Sequence, residues 1–132
     1  MNNNTIAAII LTYNEEKHIE RCIRTLKGVC EEVFVVDSFS KDRTTELAEK
    51  LGAKVYQHEW KNYATQFNWG LKHCPIQSEW IWRIDADEFL EGNLGAAVKQ
   101  AIEKADPDVN GIYVRKRIDF MGRPLMHGGW YP

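Results

Sequence analysis

An α/β domain with a mostly parallel sheet flanked by helices is the fold this sequence predicts. Two observations carry the prediction. Strand-like and helix-like segments alternate from the first residues onward, and most of the strand-like segments are continuously apolar. Continuous apolarity marks strands covered on both faces, and helices of about ten residues between them supply that cover. Right-handed crossovers then carry every strand-to-helix loop to one edge of the sheet, where ligands of such folds bind.

Residues 5–12 are a β-branched and apolar run, the first strand. Ile19, Cys22, Ile23 and Leu26 follow at i, i+3, i+4 and i+7, one stripe of a helix. Residues 32–37 hold Val33, Phe34, Val35 and Val36, a second buried strand. Leu47, Ala48 and Leu51 mark a short helix, stopped by Gly52. Residues 54–58 are a third strand, and residues 63–73 a helix with Ala64, Phe67 and Leu71 inward, ended by Pro75. Residues 80–85 are a fourth strand. Leu94, Ala97, Val98, Ala101, Ile102 and Ala105 give the clearest amphipathic helix. Residues 111–117 read as a fifth strand, and the remainder to residue 132 as irregular, rich in Gly, Met and aromatics. With 132 residues and no repeat or linker, the chain is read as one domain.

Composition narrows the function. At 44% hydrophobic and 27% charged residues the chain can bury a real core. A net charge of -2 argues against a dedicated nucleic-acid binder, which carries a strong basic excess. The three cysteines are odd in number with no CxxC pair, so they read as reduced thiols in a cytoplasmic compartment. The first residues lack a signal-peptide pattern, and the longest purely apolar run, Ile6 to Leu11, falls far short of the roughly 20 residues that span a bilayer. The expected location is cytoplasmic, with room for peripheral contact on the inner membrane face.

Three predicted strands end in polar loops at the same edge: residues 12–16, residues 37–42 and residues 85–88. The third is the sharpest. Asp85 and Asp87, separated by Ala86 in extended backbone, would point to one side and repel unless a counter-charge sits between them. A divalent cation resolves the repulsion, and hard oxygen ligands suit Mg²⁺ or Mn²⁺. Such a metal would bridge two phosphates of a nucleotide and stabilise a departing diphosphate. The alternative is a solvated acidic turn that caps the next helix.

The other loops carry the same double reading. Asn14 suits a helix N-cap and Glu15 and Glu16 the positive end of the helix dipole, while Tyr13 offers a stacking face to a nucleobase. Asp42 suits a cap on the second helix, with Lys41 and Arg43 solvated. Asp37, at a strand end, could accept from a base or ribose hydroxyl. Gln66 and Asn68 lie on the third helix, where polar residues most often face water. His18, His58 and His73 lack partners at metal-binding spacing and read as surface or satisfied histidines. His127 is a weaker candidate for an additional ligand. Arg115, Lys116, Arg117 and Arg123 form a basic cluster, either a solvated strand edge or a contact to an anionic acceptor or lipid headgroup.

Residues 10–16, then Val35, Val36, Asp37 and Ser38 through Asp42, Arg43 and Thr44, then Ile84, Asp85, Ala86, Asp87 and Glu88 resemble family 2 glycosyltransferases in order and spacing. The resemblance covers nearly all of residues 5–132. His127, Gly128, Gly129, Trp130, Tyr131 and Pro132 resemble the bacterial branch that adds sugar to the lipopolysaccharide core. It implies a GT-A fold, a nucleotide-diphosphate sugar donor with uridine as its base, and inversion at the anomeric carbon. By resemblance, Thr12, Tyr13 and Glu15 would hold the nucleoside, together with Asn14 beside them. Asp37 and Ser38 would sit near base or ribose, and Asp85, Ala86 and Asp87 would serve metal, ribose or diphosphate. Gln66 and Asn68 on the third helix complete the expected nucleotide-sugar site.

Two departures bear on donor affinity: Ser38 stands where the family often has a second acidic residue, and Phe67 where it often has Arg. Family members usually continue for a hundred or more residues that supply the acceptor site and the base. The chain therefore reads as an N-terminal, donor-binding portion truncated at the C-terminus, with the acceptor-binding half and catalytic base beyond Pro132. Asp119 is the one later carboxylate to weigh. The expected partners are the nucleotide-diphosphate sugar and a glycan or lipid-linked acceptor. An apolar edge around Trp130 and Tyr131 would favour self-association.

Rival readings lack their signatures. The first loop has no glycine for a dinucleotide dehydrogenase, and no GxxxxGK[ST] is present. A sugar-nucleotidyltransferase would show a Gly- and Arg-rich first loop. A non-catalytic nucleotide-sugar-binding or interaction module is the remaining alternative.

Overall fold

A computed structural model of the chain describes residues 5–104, together with the backbone of two later strands at 116–120 and 123–127. The element order is β1 (Ile6–Thr12), α1 (Ile19–Leu26), β2 (Glu32–Asp37), α2 (Thr44–Lys50), β3 (Lys54–Gln57), α3 (Tyr63–His73), β4 (Trp80–Asp85), α4 (Leu94–Lys104), β5 (Lys116–Phe120) and β6 (Arg123–His127).

The first four strands form one sheet in the order β3-β2-β1-β4, and every pairing in it is parallel. The apolar runs explain why. All seven residues of β1 are buried, as expected of a strand with a neighbour on each side and helices on both faces. One face of the sheet carries Ile6, Ala8, Ile10, Val35, Trp82 and Ile84 and packs on α1, α2 and α4 through residues such as Ile23, Leu47 and Val98. The other carries Ala7, Ile9, Leu11, Phe34 and Val36 and packs on α3 through Phe67. Each face fills the roughly 10 Å between layers with interdigitated side chains, and this burial is the main favourable term in the fold.

α3 comes closest to the sheet at Gly70. A methyl group added there would lie 3.1 Å from Val36 Cγ2, so the small residue sets the approach. The inward face of α3 differs from the one predicted. Gln66, Phe67 and Gly70 are buried, whereas Ala64 and Leu71 are exposed. Gln66 is fully buried because each end of its amide finds a partner, which hydropathy does not register. On α4 the buried positions are Gly95, Val98 and Ile102, with Ala97 and Ala101 exposed.

Two further expectations are corrected. Asn14 is not an N-cap: α1 begins at Ile19, and Asn14 stands in the left-handed region at φ 53. The region after α4 contains an antiparallel hairpin, β5 with β6, where irregular chain was expected after residue 117. Residues 105–115 lie outside the described residues, as do the side chains of Lys116, Arg117, Asp119, Arg123 and His127, and the edge at Trp130 and Tyr131.

Candidate functional site

Parallel pairing brings three strand ends together. Thr12 is level with Asp37, and Leu11 with Asp85, so the loops after β1, β2 and β4 open at the same carboxyl edge. A cleft of about 490 Å³ lies there. Of the residues expected in a nucleotide-sugar site, Thr12, Tyr13, Glu15, Ser38, Asp85, Ala86 and Asp87 line it. Three others stand behind or beside that lining: Asn14, Asp37 and Gln66. Asn68 is exposed on α3 and is not among the lining residues.

The loops after β1 and β2 are tied to each other by hydrogen bonds. The Asn14 backbone N–H donates to Ser40 Oγ at 2.8 Å, and Lys41 N–H donates to Asn14 Oδ1 at 2.8 Å. Glu15 N–H donates to Thr44 Oγ1 at 2.8 Å, and Glu16 N–H to Asp42 Oδ2 at 3.2 Å. Asp42 also accepts from the backbone N–H and the hydroxyl of Thr44 at the start of α2. Those bonds outweigh desolvation and hold its carboxyl below the usual range. Phe39, like Asn14, has positive φ, at 56 degrees, and its N–H donates to Gln57 Oε1. Left-handed backbone in a non-glycine residue costs on the order of 1 kcal/mol, and here each loop carries one such residue fixed by a neighbouring side chain.

Asp37 is the hub beneath this lining. It is fully buried, and its Oδ1 accepts from Thr12 Oγ1 at 2.6 Å and Ser40 Oγ at 2.5 Å. Its Oδ2 accepts from Ser40 N–H at 2.8 Å. The carboxylate thus braces the end of β1 against the loop after β2. Its neighbour Ser38 lines the cleft, donates its N–H to the Thr12 carbonyl and accepts from Gln66 Nε2 at 2.9 Å. Gln66 Oε1 in turn meets His58 Nδ1 at 2.8 Å, which makes that ring nitrogen the donor. His18 pairs with Glu15, and His73 bonds the Trp69 carbonyl, so all three of these histidines are satisfied.

The acidic loop is a turn, not the extended backbone expected. Asp85 closes β4, and the Glu88 N–H returns to the Asp85 carbonyl at 2.9 Å while Glu88 Oε1 accepts from Asp85 N–H at 2.6 Å. This reciprocal closure curls Asp87 over the strand end, yet both aspartates still line the cleft. Cys22 lies below, its thiol within 3.7 Å of the Asp85 carbonyl. Burial pushes the Cys22 thiol up to about 12, with the charges of Glu88, Asp85 and Asp87 adding to the effect.

The donor set fits a hard divalent cation that arrives with a phosphate ligand. Among the described residues no three His, Cys, Asp or Glu side chains converge as a closed cage. Mg²⁺ is usually held by one or two carboxylates plus substrate phosphates, and Asp85 with Asp87 supplies that number.

Sequence reasoning missed Trp60 and Tyr63, which line the same cleft. Their rings meet edge to face with centroids 4.8 Å apart, and both remain exposed. Neither belongs to a strand-end loop that local pattern marks. They reach the cleft because the turn after β3 starts α3 at the same edge.

Sequence and fold both have counterparts in known proteins. Residues 7–127 match the model of Glycosyl transferase family 2. An uncharacterized glycosyltransferase of Rickettsia bellii is 40% identical over 103 residues, covering 78% of this chain and 34% of the relative. The lipopolysaccharide core biosynthesis glycosyltransferase LpsC of Rhizobium meliloti is 30% identical over 122 residues, covering 89% of this chain and 44% of LpsC. The chain thus spans about a third to under half of the length of these relatives.

Among solved structures, residues 1–349 of S. aureus TarS share 29% identity with a TM-score of 0.61, over 75% of this chain and 32% of that fragment. The Mycobacterium tuberculosis glucosyl-3-phosphoglycerate synthase, crystallised with Mn²⁺, UDP and glucosyl-3-phosphoglycerate, shares 22% identity and the fold, with a TM-score of 0.53 over 64% of this chain and 35% of that one. Fold, sheet topology and sequence agree: this chain belongs to glycosyl transferase family 2 and has the GT-A architecture.

Proposed function

We propose that this chain binds the donor of an inverting glycosyltransferase, a nucleotide-diphosphate sugar with uridine as its base, for transfer to a glycan or lipopolysaccharide-core acceptor. One observation carries the reading: a single cleft gathers Thr12, Tyr13, Glu15 and Ser38 from two strand-end loops and the Asp85–Ala86–Asp87 turn from a third. A half-exposed aromatic ring and a carboxylate pair in one cleft suit a ligand that carries both a base and phosphates.

Tyr13 offers its ring to the base, and Thr12 and Ser38 offer hydroxyls to base or ribose. Asp85 and Asp87 would hold Mg²⁺ or Mn²⁺, which supplies charge neutralisation for a departing diphosphate. The Mn²⁺ and UDP crystallised with the mycobacterial synthase of the same fold support this choice of ligands. The role of Asp37 is to position Thr12 and Ser40 from behind, with no free face toward the ligand. Inversion, the uridine base and the lipopolysaccharide-core acceptor follow from the family resemblance, the last supported by the name of LpsC.

Calorimetric titration of UDP into the chain, with Mn²⁺ and after chelation, tests the proposal. Binding that needs the metal and is lost in Asp87→Ala is the expected result. A folded chain that takes no UDP in either condition would sink it.

A further inference from the structure

The cleft has an electrostatic imbalance. Its lining includes three carboxylates, Glu15, Asp85 and Asp87, and no lysine or arginine. A nucleotide diphosphate adds more negative charge, and one divalent cation does not offset the whole. Clefts lined with like charge repel such a ligand unless a cation stands close by.

Arg83 is not itself among the lining residues, but it lies directly behind one of them, Tyr63. On β4 the buried Trp80, Trp82 and Ile84 alternate with the partly buried Ile81, Arg83 and Asp85, so Arg83 and Asp85 share the face that α3 covers. The Arg83 guanidinium carbon lies 5.9 Å from the ring centroid of Tyr63, which lines the cleft, and 5.7 Å from that of Phe67. Two rings hold the planar group without consuming its hydrogen-bond donors. Among the described residues Arg83 makes no salt bridge. The other cations near this edge are placed differently. Arg43 is paired to Glu46, Arg21 lies over Phe89, and Lys17, Lys41 and Lys61, the last beside the lining Trp60, are exposed on their loops.

We infer that Arg83 is a donor-binding residue: its guanidinium, held by Tyr63 and Phe67 two residues before Asp85, takes the diphosphate of the bound nucleotide. The inference rests on the donor-site reading above and adds a residue to it. A guanidinium suits this role because its fork presents paired donors to phosphate oxygens.

The test compares UDP with uridine, each with Mn²⁺, in the wild-type chain and in Arg83→Met and Arg83→Lys. The affinity for UDP is read by calorimetry and that for the weaker nucleoside by NMR shifts. Arg83→Met keeps the packing against the two rings and removes the charge. It is expected to weaken UDP by about 10- to 100-fold, the loss typical of a charged hydrogen bond, with uridine unchanged within about twofold. Arg83→Lys should fall between. UDP affinity within twofold of wild type in Arg83→Met overturns the inference, and so does an equal loss for UDP and uridine, which would mark a packing role. If Arg83→Met does not fold, Arg83→Gln is scored by the same ratio. A wild-type chain that binds no UDP removes the donor-site reading itself, and this inference with it.

Discussion

Replacing Asp37 with Asn tests whether the buried carboxylate organises the cleft. The side chain accepts three hydrogen bonds, from Thr12 Oγ1, Ser40 Oγ and Ser40 N–H, at 2.6, 2.5 and 2.8 Å. An amide must keep its oxygen toward the Ser40 N–H, because that donor cannot turn. Its NH₂ then faces the two hydroxyls, which must rotate to become acceptors. Exchanging a charged acceptor for a neutral amide loses about 1 kcal/mol per bond. Relief of the buried charge returns part of this, which leaves Asp37→Asn about 2 kcal/mol less stable. Asp37→Ala leaves all three donors unmet and should cost about 4 kcal/mol.

Urea denaturation is the assay, and the midpoint should fall by about 1 M with an unchanged slope. Thr12→Val removes one of the three donors, so the double variant should show a coupling of about 1 kcal/mol with Asp37→Asn. If Asp37→Asn were as stable as the parent within about 0.5 kcal/mol, the bracing role assigned to the carboxylate would be wrong.

Three other outcomes follow from the geometry. Gly95→Ala puts a methyl group 2.5 Å from Val29 Cγ2; despite about 1 kcal/mol of helix propensity gained, it should destabilise, and Val29→Ala in the same chain should restore most of the loss. A stabilising single variant would show that Val29 moves aside freely. Burial pushes the Cys30 thiol up to about 12 and the Cys74 thiol up to about 11. Both are therefore neutral in the native chain, and stability present below pH 9 should decline as pH rises through those values, by up to about 1.4 kcal/mol per pH unit for each thiol. Denaturation from pH 8 to 11 reads this, and a flat profile contradicts it; at pH 8 a thiol reagent should react only after unfolding. Tyr13→Ala should weaken UDP about tenfold by loss of stacking, and titration calorimetry showing no change would place the base elsewhere.

Much of this fold is legible in the residues. The stripe Ile19, Cys22, Ile23 and Leu26 is buried as its spacing predicts, β2 and α3 have the predicted bounds, and Gly52 ends its helix with φ 93. Period and punctuation are local, so sequence reveals them. What failed depended on distant partners. Gln66 is buried because Ser38 and His58 meet it from other elements, and Gly70 faces inward where an added methyl group would come within 3.1 Å of Val36 Cγ2. Asn14 looks like a cap by type, but its side chain serves Lys41 across the cleft loops.

The site shows the same division. The strand-end residues could be found because topology alone sends them to one edge. Trp60 and Tyr63 reach the same edge through the turn after β3, which no local pattern marks, and Arg83 depends on how α3 lies against β4. Asp85 and Asp87 reach the cleft on a different backbone from the one expected, a closed turn between Asp85 and Glu88.

On the proposed reading, one cleft at the carboxyl edge holds a metal-bound nucleotide diphosphate. Paramagnetic broadening of backbone amide signals by Mn²⁺ in the presence of UDP tests it most directly. Broadening should centre on residues 85–88 and reach residues 12–15 and 38, with the opposite ends of the strands, near Ile6 and Trp80, unaffected. Broadening centred on any other part of the chain, or none with UDP present, would contradict it.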